Sequence, residues 1–215
     1  MYVPAHFATE DADALIARLA RRWAAVLITI DADGVPFGTH MPILWDAEKR
    51  IASGHIARAN PHWRHGAGKG LLVLSGPEAY VTPSWYPSKA EHGKTVPTWN
   101  YEAVHISGHV EWFNDAARLG ALVSDLSTAH EHDRTEPWAM SDAPRPYIDA
   151  MLRAIVGVTL TAERIEAKRK LSQNKSAADY AGVARGLAGS GDAMEAEVAA
   201  LMRAERAMSD DPEGN

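Results

Sequence analysis

The stretch AAVLITIDADGVPFGTHMPILW, residues 24–45, decides how the chain folds. Ala24 to Ile30 is apolar and partly β-branched, and Asp31-Ala-Asp-Gly34 is a turn signal that leads into Val35 to Trp45. The pattern predicts an antiparallel β-hairpin. Pro42 sits inside the second arm and has no N–H to give a ladder, so that arm is expected at a sheet edge or bulged near Met41. An opening of this kind in a sheet is a place to admit a ligand.

Outward from this hairpin the β signals continue. Ile51–Ala57 reads as a short strand, Gly70–Gly76 as another, and Glu78–Thr82 as a third. Ala103–Phe113 alternates Val104, Ile106, Val110 and Trp112, with His105 and His109 together on the other face. Ile155–Leu160 returns to β late in the chain. Five to seven short strands joined by turn residues predict a barrel or strongly curved sheet, a mainly β fold with flanking helices. Thr9 followed by Glu10, Asp11 and Asp13 marks a helix N-terminus ahead of Leu15, Ile16, Leu19 and Trp23. Leu119, Leu122, Val123 and Leu126 are spaced for a second helix, and Tyr147–Arg153 for a short third. The expected division is a single domain over 1–190, then a C-terminal helix and acidic tail over 191–215, with 209–215 disordered.

With 215 residues, 46% of them hydrophobic, the chain can bury a full core. The formal net charge of −6 supplies no basic field to draw in nucleic acid. Cysteine is absent, which excludes disulfides, thiolate nucleophiles and cysteine metal sites. The start of the chain lacks the basic and apolar regions of a signal peptide, and no apolar run is long enough to span a bilayer, so the expectation is a cytoplasmic protein with no membrane partner. His55, His62, His65, His105 and His109 could each ligate a metal, but their spacing matches no metal motif and no metal site is expected. Ser84 and Ser107 lack a nucleophile-elbow context, and Rossmann and Walker glycine loops are missing, so any phosphate is held by side chains.

The unusual loop is Tyr80–Tyr101, YVTPSWYPSKAEHGKTVPTWNY, with three prolines, two tryptophans, three tyrosines and the basic set Lys89, His92 and Lys94. Rings interleaved with cations and amides suit a planar anionic ligand. They equally suit a long connection stapled to the core or to a second subunit, and the loop alone leaves both open. Arg58 and Asn60, in the loop after Ala57, are phosphate-binding residue types. Ser176–Ala207 is helical with glycines between two helices, but Glu195, Glu197 and Glu205 are wrong for a DNA recognition helix, and a packing or dimer role is expected.

Six motifs in order, MYVPAHF with GTHMPILW, GHIARANPHW, YVTPSWYPSK, VPTWNY and KLSQNKSAAD, resemble the PaiB-like family of FMN-binding negative transcriptional regulators. The resemblance implies an FMN-binding split β-barrel, built as a homodimer with flavin sites at the subunit interface. It implies that Met41 and Pro42 run along the flavin and that Arg58 and Asn60 lie on its phosphate side. Ser84, Trp85, Tyr86 and Lys89 would form the loop over it, Asn100 and Tyr101 its far end, and Lys170, Ser172, Gln173 and Asn174 the C-terminal return. It also implies DNA as a partner, which the net charge does not support. The alternative function is an FMN-dependent oxidoreductase on a small molecule, and the alternative cofactor in the same fold is haem.

Overall fold

The computed structural model describes residues 1–209, so the acidic segment 210–215 lies outside the described residues. In chain order the elements are α1 (Ala12–Arg22), β1 (Ala25–Ile30), β2 (Pro36–Met41), β3 (Ile43–Asp46), β4 (Ile51–Ala57) and β5 (Gly68–Val81). There follow α2 (Ser88–His92), β6 (Thr98–Phe113), α3 (Ala116–Glu131), α4 (Arg145–Arg153), β7 (Ile155–Lys170), α5 (Ala177–Ala188) and α6 (Ala193–Ser209). The first helix is capped by Asp11, whose carboxylate accepts from Ala14 N at 2.9 Å, and not by Thr9 as the sequence suggests. The strands expected at 70–76 and 78–82 are one strand, β5. Its pairing with β1 runs only to Val26↔Val73, so Pro77 falls where β5 has outrun β1 and its missing N–H costs no bond to that neighbour.

The strand order is β2-β1-β5-β6-β7-β4-β3. Strands β2 and β3 occupy the two ends of that order, yet only Pro42 separates them in the chain. One residue spans about 3.6 Å at most, so the two ends must lie side by side and the sheet is rolled into a barrel that closes at Pro42. The expected second hairpin arm is therefore two strands, split by the residue that has no N–H to give to either. Gly54, which pairs with Ile43, permits the closure: a Cβ there would stand 2.7 Å from the Pro42 carbonyl oxygen.

Contacts divide the chain into two units. The barrel unit comprises Asp11–Leu74 and Val104–Glu166. Its β1–β2 turn is fixed by the Asp31 carboxylate, which accepts from Asp33 N and Val35 N, and by Gly34 at φ 82°. Leu27, Ile43, Leu72, Leu74, Ile106 and Leu160 are buried here, and Leu119, Ile148 and Leu152 join α3 to α4 in a satellite cluster with Phe113 and Val123.

The second unit comprises Met1–Glu10, Ser75–Ala103 and the chain from Ala167, and so includes the ends of β5 and β7 and the start of β6. Its core joins Val81, Tyr86 and Leu171 to Tyr180, Val183 and Leu187 of α5 and to Val198 and Met202 of α6. Trp85 is seated on α5 at Gly182 and Gly186, where an added Cβ would lie 2.1 Å from its carbonyl oxygen and 2.3 Å from its ring. The aromatic loop is thus stapled by Trp85 and Tyr86.

Candidate functional site

Alternation along β6 and β7 sorts the polar residues of the second unit onto two faces. On one face Asn100 and Glu102 are buried with Arg169, Ser172 and α6. Asn100 donates to Met202 Sδ at 3.4 Å and accepts from Ser172 Oγ at 3.0 Å. This bond helps hold Ser172 at φ 67°, a conformation few non-glycine residues adopt. Arg169 bridges Glu102 at 2.8 Å and Glu205 at 2.5 Å. Gln173 accepts from Leu171 N and donates to Arg169 O, closing the turn after β7, and Asn174 is exposed.

The opposite face carries Lys168, Lys170, Tyr101 and Phe7. Lys168 Nζ lies 5.1 Å from the Tyr101 ring centre and 5.8 Å from that of Phe7, and donates to Tyr2 O at 3.3 Å. Lys170 Nζ lies 5.7 Å from Phe7 and donates to Thr98 Oγ1 at 2.7 Å and to Trp99 O. Lys175 Nζ lies 4.9 Å over Tyr86. Burial, reinforced by Lys168 and Lys175, holds the Lys170 ammonium below its usual pKa. Among the described residues no carboxylate forms an ion pair with any of these three lysines. Beside them Trp99 meets Tyr80 edge-on at 5.9 Å, and both rings are about half exposed.

In the loop, Lys89 Nζ donates to Ser84 Oγ at 3.3 Å, both at the surface. Ser88 donates through its backbone N and its hydroxyl to Asp179, fastening α2 to the start of α5. The Tyr86 hydroxyl is buried without a hydrogen-bond partner among the described residues, and burial together with Asp179 pushes its pKa up.

The remaining expected site residues belong to the barrel unit. Met41 is buried at the end of β2 and Pro42 follows it at the closure. Arg58 donates from Nε to Arg153 O and from Nη2 to Ile155 O, both at 2.7 Å, and so caps the carbonyl end of α4. Asn60 caps the 3-10 turn at Pro61–His65, accepting from His62 N at 3.0 Å while donating to Thr39 Oγ1 at 3.1 Å. His62, fully buried, bonds Thr39 Oγ1 through Nδ1 and Thr29 Oγ1 through Nε2, and Thr29 also meets His65 Nδ1. The rings of Phe37 and Trp112 enclose the pair at 4.9 and 5.4 Å from His62. Burial and the neighbouring His65 lower the His62 pKa to about 4, so the ring is neutral.

The sequence motifs do not single out Lys168 or Phe7 as site residues. The alternation Lys168-Arg-Lys170 at the end of a β pattern is the signal that would have placed both lysines on one face. The His62–Thr29–Thr39 network joins residues from three elements and has no local signature.

The strand order, closed at Pro42, defines a split β-barrel protein. Residues 1–164 match the family described as "Putative FMN-binding domain", and the chain belongs to this family, whose cofactor is FMN. It is similar to the "Protease synthase and sporulation protein PAI 2" of Bacillus subtilis (strain 168), with 29% identity over 187 residues, 85% of this chain and 87% of that protein. This relative lies within the PaiB-like resemblance of the motifs. Among solved structures, the flavocytochrome Anf3 from Azotobacter vinelandii aligns with a TM-score of 0.56 at 16% identity, over 84% of this chain and 78% of its own. The FAD and heme binding protein from Mycobacterium smegmatis aligns with a TM-score of 0.55 at 15% identity, over 79% and 76%. At these identities the likeness is one of fold.

The donor set of the second unit fits a flavin mononucleotide. An anion placed against Lys168 and Lys170 relieves their mutual repulsion, and the rings of Tyr101 and Trp99 offer flat apolar surface next to the charges, with Phe7 buried behind the lysines.

Proposed function

We propose that this protein is an FMN-binding regulator of the PaiB-like kind, in which Lys168 and Lys170 hold the cofactor's phosphate and the adjacent rings contact its isoalloxazine. The observation that carries this reading is that Lys168 and Lys170 stand together beside the Phe7 and Tyr101 rings, with no carboxylate in an ion pair with either among the described residues. FMN, when bound, supplies one- and two-electron redox chemistry. The chain's own residues bind and orient it: the ammonium groups neutralise the dianion, and Thr98 and the Trp99 carbonyl fix Lys170. Met41, Pro42, Arg58, Asn60, Ser84, Lys89, Asn100, Gln173 and Asn174 stay candidate cofactor residues on the strength of the family motifs. Titration of the cofactor-free protein with FMN should quench flavin fluorescence. A Soret band on haem addition with no response to FMN would sink the proposal.

Two further features of the reading are testable. Tyr80, Val96 and Trp99 are exposed large apolar residues of the second unit, at 44%, 68% and 51%. They are residue types that a symmetric partner covers, so a homodimer is expected by light scattering, and a monomer that binds FMN stoichiometrically would remove this claim. The net charge of −6 supports control exercised without tight autonomous DNA binding. Mobility shifts should be weak and indifferent to sequence. Nanomolar binding of one promoter fragment in physiological salt would overturn this.

A flavin-dependent oxidoreductase is the second reading, favoured by the fold shared with the flavocytochrome Anf3. Sustained turnover with a reduced nicotinamide and a small-molecule acceptor would establish it. No helix among the described residues is long and apolar enough to cross a membrane, which fits the proposed cytoplasmic setting.

A further inference from the structure

His55 lies on β4 between Gly54 and Ile56, whose burial marks the core-facing side of the strand, so its own side chain leaves the opposite face. There it lines a cavity of about 270 Å³ with Met140, Ile148 and Met151, and with Trp138 and Tyr147. Every lining residue belongs to the barrel unit, and none to the lysine face described above. Ile148 is buried, while Trp138, Met151 and Tyr147 are 42%, 45% and 57% exposed and form a rim. No carboxylate, ammonium or guanidinium lines the space.

Tyr147 and Trp138 bring a hydroxyl and an indole N–H to the exposed rim, and the polar group deeper in the lining is His55. Its Nδ1 is buried and has no hydrogen-bond partner among the described residues. Burial lowers its pKa, so the imidazole is neutral. A buried polar atom without a partner in a native fold requires an explanation. A water molecule needs two to four polar partners to be held well, and this wall of thioether, aliphatic and aromatic carbon offers few. A cavity of about 150 Å³ suffices for benzene, so this one takes a single substituted ring. Thioethers and aromatic edges are good company for a ring. Nδ1 of a neutral imidazole is a donor or an acceptor according to tautomer, and a hydroxyl answers either.

We propose that this cavity is a binding site for a small neutral hydroxylated aromatic, a phenol, with its ring among Met140, Ile148 and Met151 and its hydroxyl on His55 Nδ1. The site is independent of the flavin reading, and its failure leaves that reading intact.

The test titrates the full chain with p-cresol and with toluene, followed by calorimetry. The hydroxyl's single hydrogen bond should make p-cresol bind about five- to tenfold more tightly than toluene. His55→Phe should bring the two affinities together. Met151→Trp, a change at the half-exposed rim that leaves the imidazole in place, should weaken both ligands at least about tenfold by filling the space. Three results would each overturn the proposal: no saturable p-cresol binding to the wild-type chain, a p-cresol preference that survives in His55→Phe, or p-cresol affinity unchanged in Met151→Trp. If His55→Phe fails to fold by circular dichroism, the wild-type ratio and the Met151→Trp titration decide.

Discussion

Replacing Lys170 with methionine separates the cost of keeping this cation from its use. The side chain keeps its unbranched shape, is one atom shorter and loses its charge. In the cofactor-free protein the change deletes the hydrogen bonds to Thr98 Oγ1 and Trp99 O, each a net contribution of about 1 kcal/mol. It also removes the burial of an ammonium and its repulsion by Lys168 and Lys175, the causes that lower its pKa. These effects oppose each other, so the stability of the free protein should stay within about 1 kcal/mol of the wild type. Binding has no such offset. A hydrogen bond from an ammonium to phosphate is worth about 1.5–3 kcal/mol, so FMN affinity should fall about ten- to a hundredfold. Riboflavin, which lacks the phosphate, should bind both proteins alike. The pH dependence gives an independent check. A lysine whose folded pKa lies below its unfolded value destabilises the fold while charged, and that penalty lifts as pH rises through the folded pKa toward 10.5. The wild-type free protein should gain stability in that alkaline window, and Lys170→Met should lose the gain. Flavin fluorescence titration and urea unfolding measure both effects. Equal weakening of FMN and riboflavin would refute the reasoning, because it would locate the damage in the ring contacts or the fold.

His62 predicts the opposite end of the pH scale: with a folded pKa of about 4 against 6.5, the unfolded chain binds more protons between these values. Stability should therefore fall as pH drops from 6.5 toward 4, by up to about 3 kcal/mol, and a flat urea-midpoint profile across that range would count against a neutral buried imidazole. Arg58→Ala should lower stability by about 2 kcal/mol, because the Arg153 carbonyl at the end of α4 and the Ile155 carbonyl at the start of β7 lose their charged donor, and thermal unfolding reads this directly. Gly157→Ala would put a Cβ 2.2 Å from the Phe113 ring, which is itself packed 3.7 Å from the Arg118 guanidinium centre. Displacing that ring should cost about 1–3 kcal/mol, and an unchanged melting temperature would show that Phe113 moves freely.

Local chemistry made much of this protein legible in its sequence. Asp31 and Gly34 specify a tight turn between two arms, the apolar spacing of Leu15, Ile16 and Leu19 specifies the buried side of α1, and the ordered motifs specify the family. Pro42 declared a break, because a missing N–H is a property of the residue alone. That the break is a barrel closure was decided by the strand order, since only pairing between distant segments puts β2 and β3 at opposite ends of one sheet. The same holds for the candidate site. Sequence grouped Asn100 with Tyr101 and Lys170 with Ser172, because neighbours in a motif look like partners. The β pleat sends Asn100 and Tyr101 to opposite faces, and beyond the end of β7 the left-handed backbone of Ser172 breaks the alternation: α6 packs over Asn100, which holds the Ser172 hydroxyl, while Tyr101 and Lys170 share their face with Phe7 and Lys168. Residue type pointed to cations and rings as candidates for a site. Which cations stand together was decided by the tertiary structure, because electrostatic energy depends on distance through space and not on separation along the chain.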